Sequence, residues 1–230
     1  MTGTTAVSRA PTVTICTHAF ALRALVAAAA LLLALSASGA DDAGAEVAKP
    51  KVKVGDRWSS RTTNLLRPNA PPVTVDSRVV STGPDEIVMV SKRRDREGEV
   101  DSFWTSEWNA VALPTMTFTP HLGHFKFPLK VGASYVAAWE GIAKGSGWRG
   151  KFEIQFKVTG WEEVTVPAGK FRALKLEGNG TFTRLDQAGG GWTRYAYWYV
   201  PEVKRFAKYT WVSEGMNVNQ VVELVEFSVQ

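Results

Sequence analysis

The sequence predicts an all-β, antiparallel fold made of two meander-type pseudo-repeats, and three observations carry that prediction. Residues 151–158 alternate strictly, with Phe152, Ile154, Phe156 and Val158 on one face and Lys151, Glu153, Gln155 and Lys157 on the other, the period of two of a half-buried strand. Two stretches recur after the same interval of 77 positions: Lys53-Val54-Gly55 returns as Lys130-Val131-Gly132, with Trp58 answered by Tyr135, and Thr82-Gly83-Pro84-Asp85-Glu86-Ile87 returns as Thr159-Gly160-Trp161-Glu162-Glu163-Val164. A fixed-period echo marks an assembly of like units. After the N-terminal segment, no window of about 11 residues shows a helical apolar period.

Taken in order, residues 1–40 read as a secretory signal. Arg9 and Arg23 supply the positive region, Ala24 to Leu35 the apolar run, and Ser38-Gly39-Ala40 the small residues before cleavage. The run is shorter than the roughly 20 residues needed to span a bilayer. Residues 41–52 are Ala-rich without periodicity and are expected to be a flexible leader. Strands are expected at 58–65, 74–81, 86–92, 100–108, 133–142, 151–158, 163–166, 171–182, 192–200, 206–212 and 217–229. Turn residues separate them: Gly83-Pro84-Asp85, the charged tip Arg94 to Gly98, Gly160-Trp161, Pro167-Ala168-Gly169 and Gly189-Gly190-Gly191. The result is a single β domain over residues 53–230, with units at about 53–126 and 127–230, forming a curled half-barrel or a sandwich.

Composition narrows the chemistry. Cys16 is the only cysteine and leaves with the signal, so disulfides, thiolate metal sites and cysteine nucleophiles are excluded from the mature chain. Losing Arg9 and Arg23 lowers the formal charge from +5 to +3, since 5 − 2 = 3, a mild excess that calls for no nucleic acid. The expected location is the bacterial periplasm or the medium, with no stable membrane span after cleavage.

Candidate catalytic groups are sparse. His121 and His124 are the only histidines outside the signal; they lie between Pro120 and Pro128, in what reads as a solvated loop rather than a metal site. No Gly-x-Ser-x-Gly elbow occurs. Asp85-Glu86 and Glu162-Glu163 read as equivalent turn positions, because neighbours along a strand face opposite ways and make poor acid/base dyads. Lys92-Arg93-Arg94 with Arg96 is interleaved with Asp95, Glu97 and Glu99 and reads as a hairpin tip. No catalytic residue, metal ligand or cofactor is expected.

Aromatic content is the positive signal. All nine tryptophans follow the signal segment. Alternation over 192–199 sends Trp192, Arg194, Ala196 and Trp198 to one face and Thr193, Tyr195, Tyr197 and Tyr199 to the other. Trp139, Trp148, Tyr195, Tyr197, Trp198, Tyr209 and Trp211 are the candidate ligand-lining residues, because Tyr and Trp join broad apolar area to a polar handle.

Phe127-Pro128-Leu129-Lys130-Val131-Gly132, Glu163 to Phe171 and Trp198-Tyr199-Val200-Pro201-Glu202-Val203 together resemble the TapB-like group of bacterial exported proteins, a domain of unknown function. That group is similar in architecture to the LolA and LolB lipoprotein carriers, whose curled sheets shelter acyl chains. Lys170 and Lys204-Arg205 depart from the group's pattern, the latter where a Gly-containing turn is usual. The resemblance carries over no catalytic residue; the export signal, the absence of catalytic groups and the two-sided aromatic strand point to a binding or carrier module for an apolar or amphipathic envelope molecule, such as a lipid or lipidated segment. A glycan-binding surface that uses exposed Trp, and a protein-interaction module of the envelope, remain the alternatives.

Overall fold

The computed structural model describes residues 1–3 and 45–230, so the signal-like segment lies outside the described residues. The chain divides into two units, Met1–Asp42 and Ala43–Gln230, and every described strand belongs to the second. In chain order these are β1 (Glu46–Val47), β2 (Arg57–Asn64), β3 (Val73–Thr82), β4 (Glu86–Arg93), β5 (Val100–Thr105), β6 (Ala110–Ala112), β7 (Met116–Thr119), β8 (Leu129–Lys130), β9 (Ser134–Ala143), β10 (Arg149–Val166), β11 (Gly169–Arg184), β12 (Gly190–Val200), β13 (Arg205–Ser213) and β14 (Val218–Ser228). A 3-10 turn at Pro201–Val203 is the only helical element among the described residues.

The expectation of a half-barrel or sandwich is corrected. All strands but β1 and β8 join one closed antiparallel barrel in the order β10-β11-β12-β13-β14-β2-β3-β4-β5-β6-β7-β9. Closure comes from β14, which runs antiparallel to β2 from Gln220 opposite Asn64 to Ser228 opposite Arg57. An open half-barrel would leave two rows of unpaired backbone groups, and this pairing removes both edges. β1 pairs with β8 outside the barrel, Glu46 opposite Lys130.

The alternation read from the sequence sets which way each strand faces. On β10, Phe152, Ile154, Phe156 and Val158 are buried inside the barrel while Lys151, Glu153, Gln155 and Lys157 face out. An apolar interior with a charged exterior is the reverse of a membrane-spanning barrel. Among the described residues no helix is long and apolar enough to cross a membrane.

The first echo is structural. Gly55 (φ +95°) and Gly132 (φ +86°) make the same left-handed step, which a side chain would strain. Gly55 N–H donates to Val79 O at 3.0 Å and Val79 N–H to Asp56 O at 2.9 Å; Gly132 N–H donates to Val158 O at 2.8 Å and Val158 N–H to Ala133 O at 2.9 Å. Val79 and Val158 therefore hold equivalent places, a slip of two residues from the 77-residue interval that keeps the same face. The second echo is not a pair of turns. Gly83 sits at the β3–β4 turn, whereas Gly160 sits beside a bulge inside β10, so 151–158 and 163–166 are one continuous strand. Glu162 and Glu163 accordingly lie in a strand and not at a turn.

Candidate functional site

An eight-stranded barrel is just wide enough for its own side chains to fill, and a ring of twelve encloses more space. Here the chain fills part of that space with itself. The segment from Pro120 to Pro128, which links β7 to β8 in the chain, turns His124 and Phe125 inward and is held by Asn109, whose Nδ2 donates to Phe125 O at 2.8 Å and whose Oδ1 accepts Phe125 N–H at 2.9 Å. Leu122 N–H donates to Ala110 O at 3.0 Å, and Tyr135 donates its hydroxyl to His124 O at 2.6 Å. The solvated loop expected around His121 and His124 is thereby corrected: His124 is buried among Trp139, Phe156, Tyr195 and Tyr197.

What remains open is a cavity of about 280 Å³ beside this segment. β9 contributes Trp139; β12 contributes Tyr195 and Tyr197; β13 contributes Phe206, Tyr209 and Trp211. Trp104, Trp108, Met116 and Phe118 close it from the β5–β7 side, with Leu122, His124 and Phe125 from the inward segment. The rings order one another: Trp139 stacks on Phe152 at 4.9 Å, Tyr195 on Trp211 at 5.8 Å and Tyr197 on Tyr209 at 5.4 Å. Such contacts fix aromatic orientation beyond simple burial. No carboxylate lines the cavity.

Its polar groups are few. His124 Nδ1 lies 2.7 Å from the Tyr197 hydroxyl, and Gln220 donates to the Tyr209 hydroxyl at 3.2 Å. Burial lowers the His124 pKa to about 3, so the ring is neutral at ordinary pH. Burial also raises the Tyr195, Tyr197 and Tyr209 hydroxyls above the usual tyrosine range, leaving them as neutral donors and acceptors. Arg205 sits behind the wall, its guanidinium 4.9 Å from the Trp108 and Phe206 ring centres, 5.3 Å from Trp104 and 5.6 Å from Trp58. Burial lowers its pKa to about 10, which keeps it charged. A neutral imidazole this weakly basic, with no carboxylate among the lining residues, is poorly suited to move protons.

Of the candidates read from the sequence, Trp139, Tyr195, Tyr197, Tyr209 and Trp211 come together on the cavity wall. Trp148 does not reach it and packs against Phe152 and Phe182 at 6.1 and 6.4 Å. Trp198 faces outward, its ring flanked by Lys175 and Lys208 at 5.4 and 5.3 Å and its indole N–H donating to Glu162. Sequence reasoning missed Trp104, Trp108, His124 and Phe206. Alternation along 206–211 places Phe206 out of phase with Tyr209 and Trp211, because a bulge at Ala207 shifts the register. His124 carries no periodic signal at all.

A second hollow of about 440 Å³ lies over β2, β3, β4 and β14, lined by Asp76, Arg78, Lys92, Arg94 and Glu99 among others. Two ion pairs cross it, Arg94 with Asp76 at 2.8 Å and Arg78 with Glu99 at 3.1 Å, and Arg57, Lys92 and Glu226 also line it, so cations and carboxylates are nearly balanced.

No protein-family model matches the chain, and no curated protein matches it by sequence. Solved structures match it in shape. A protein of Parabacteroides distasonis described as a lipoprotein superposes with a TM-score of 0.53 at 14% identity, over 79% of this chain and 99% of its own length. A protein of Bacteroides fragilis described as exported, with a YmcC-like fold, superposes with a TM-score of 0.51 at 13% identity, over 80% of this chain and 100% of its own. Neither carries the TapB-like or LolA/LolB names that the motifs suggested. At these identities the likeness is one of fold, and this chain shares its architecture with two proteins described as a lipoprotein and an exported protein.

Proposed function

We propose that this chain is a non-enzymatic binding or carrier module for an apolar or amphipathic molecule of the bacterial cell envelope, held inside the barrel. The observation that carries the reading is the aromatic-walled cavity of about 280 Å³, close to the lower end of the roughly 300–1,000 Å³ of small-molecule sites. That volume suits a single acyl chain or a small ring system better than a two-chain lipid. The signal-like N-terminal sequence supports an extracytoplasmic setting. The glycan alternative is weaker on these observations, because Lys175 and Lys208 flank Trp198 and Arg194 lies 5.0 Å from the Trp192 ring centre. A sugar would have to displace those cations.

Quenching of intrinsic fluorescence tests the reading. Trp104, Trp108, Trp139 and Trp211 line the cavity, so a medium-chain fatty acid brominated along its chain is expected to quench a large part of the emission saturably, at concentrations below micelle formation. Quenching that rises linearly without saturating contradicts an interior site.

A further inference from the structure

Every neighbour in the barrel is antiparallel, so successive connections leave it at alternate ends. The β2–β3, β4–β5, β6–β7, β9–β10, β11–β12 and β13–β14 turns therefore share one end, and the segment from Pro120 to Pro128 leaves from the other. Exposed apolar side chains gather at the first. Of the ten large ones exposed after Met1 among the described residues, six stand there, in the turns or at the strand ends beside them: Leu65, Leu66, Val100, Ile142, Leu185 and Trp192. Single apolar residues scattered over a surface need no account, but a ring of them at one end does.

The cavity reaches the same end. Leu113 and Thr115 of the β6–β7 turn and Met216 of the β13–β14 turn line it, and Thr115 is its one exposed lining residue. The other four turns carry the six exposed apolar side chains, so a hydrophobic rim surrounds the mouth. Charge does little to set the partner, because Arg93 pairs with Asp95 at 2.6 Å and Arg184 with Asp186. Apolar groups spread over four turns of a twelve-stranded ring cannot all be met by one narrow peptide. A flat, deformable lipid surface meets them together, and Trp192 suits such a boundary through its mixed apolar and polar character.

We propose that this end of the barrel docks on the surface of a phospholipid bilayer, seating Leu65, Leu66 and Leu185 among the headgroups and holding the cavity mouth against the membrane. The contact is peripheral, since the strand exteriors stay charged. It names the surface where a carried molecule would enter or leave, and the docking itself does not depend on that molecule.

Flotation with vesicles of phosphatidylcholine, a zwitterionic lipid, tests it. The wild-type protein is expected to float with the vesicles. Leu65→Ser, Leu66→Ser and Leu185→Ser combined, at side chains 49, 46 and 42% exposed, should weaken that binding at least about tenfold, the scale of withdrawing partly exposed leucines from an apolar phase. Val136→Ser removes a side chain that is 57% exposed and stands towards the other end, and should change nothing. A wild type that does not float, a triple variant that binds as well, or an equal loss in Val136→Ser overturns the proposal. Added salt should leave flotation unchanged, and loss in salt assigns the binding to the charged tips and overturns the apolar rim. Quenching by the brominated fatty acid should be the same in the triple variant as in wild type, so failure of the ligand site and failure of docking are read separately. Should the triple variant fail to fold, hydrogen exchange of the wild type decides: vesicles should slow exchange at residues 65–67 and 185–189 and leave 83–86, at the other end, unchanged. Slowing at 83–86 instead, or at neither end, refutes the docking.

Discussion

At the scale of single residues, Lys204 shows how a departure from an expected turn acquires a purpose. It follows the Pro201–Val203 turn with φ 60° and ψ 15°, a left-handed conformation that glycine adopts without strain and lysine does not. Its side chain explains the choice, because Nζ reaches the fully buried Asp56 carboxylate at 3.0 Å and the Gln230 carbonyl at 2.6 Å. Asp56 also accepts the Lys53 and Gln230 backbone N–H groups, each at 2.9 Å. Lys204→Ala is expected to cost about 3 kcal/mol in urea unfolding, the scale of leaving a buried charge without its partner. His124 makes a pH-dependent contribution of definite sign. Its folded pKa of about 3 lies below the unfolded value, so the unfolded chain binds the proton first and stability falls as pH drops below about 6.5. Unfolding at pH 5 should show about 2 kcal/mol less stability than at pH 7 from this group alone, and His124→Phe should flatten that difference. The histidine's burial was invisible in the sequence, where two prolines and no periodicity describe a loop equally well inside or outside a barrel.

At the scale of elements, what alternation governs was legible and what distant pairing governs was not. The opposite faces of 192–199 are as read, with Thr193, Tyr195, Tyr197 and Tyr199 inward. The short β6 and β7 were missed because three or four residues are too few to display a period. β10 was split in two because Gly160-Trp161 has turn composition, and a bulge and a turn draw on the same residues. Close packing inside the long strands gives a sharper test. A Cβ on Gly178 would stand 2.4 Å from Cε1 of Phe156, itself fully buried, so Gly178→Ala must push that ring into its neighbours. A loss of about 1–3 kcal/mol is expected, read as a lowered urea midpoint. The inward segment depends on one side chain in the same way. Asn109→Ala leaves the Phe125 N–H and C=O without partners, and about 2 kcal/mol or more should be lost. Hydrogen exchange should quicken at residues 122–125 before the rest of the barrel responds.

At the scale of the whole molecule, closure turns a curled sheet into a container. Nothing local in residues 217–229 says that they pair with residues 57–64, so the sequence supported the strands without the ring. The same pairing explains why five of the seven candidate aromatics meet although they lie on three strands: closure brings the inward faces of β9, β12 and β13 around one space. Trp148 and Trp198 were chosen on residue type alone, and type does not distinguish a ring that packs behind the wall or faces outward. Native mass spectrometry of the protein purified gently from an envelope-containing lysate asks whether the space so enclosed holds a ligand. A one-to-one adduct of a small amphiphile is expected, displaced by added medium-chain carboxylate. A clean ligand-free mass that stays unchanged when that carboxylate is added would contradict it.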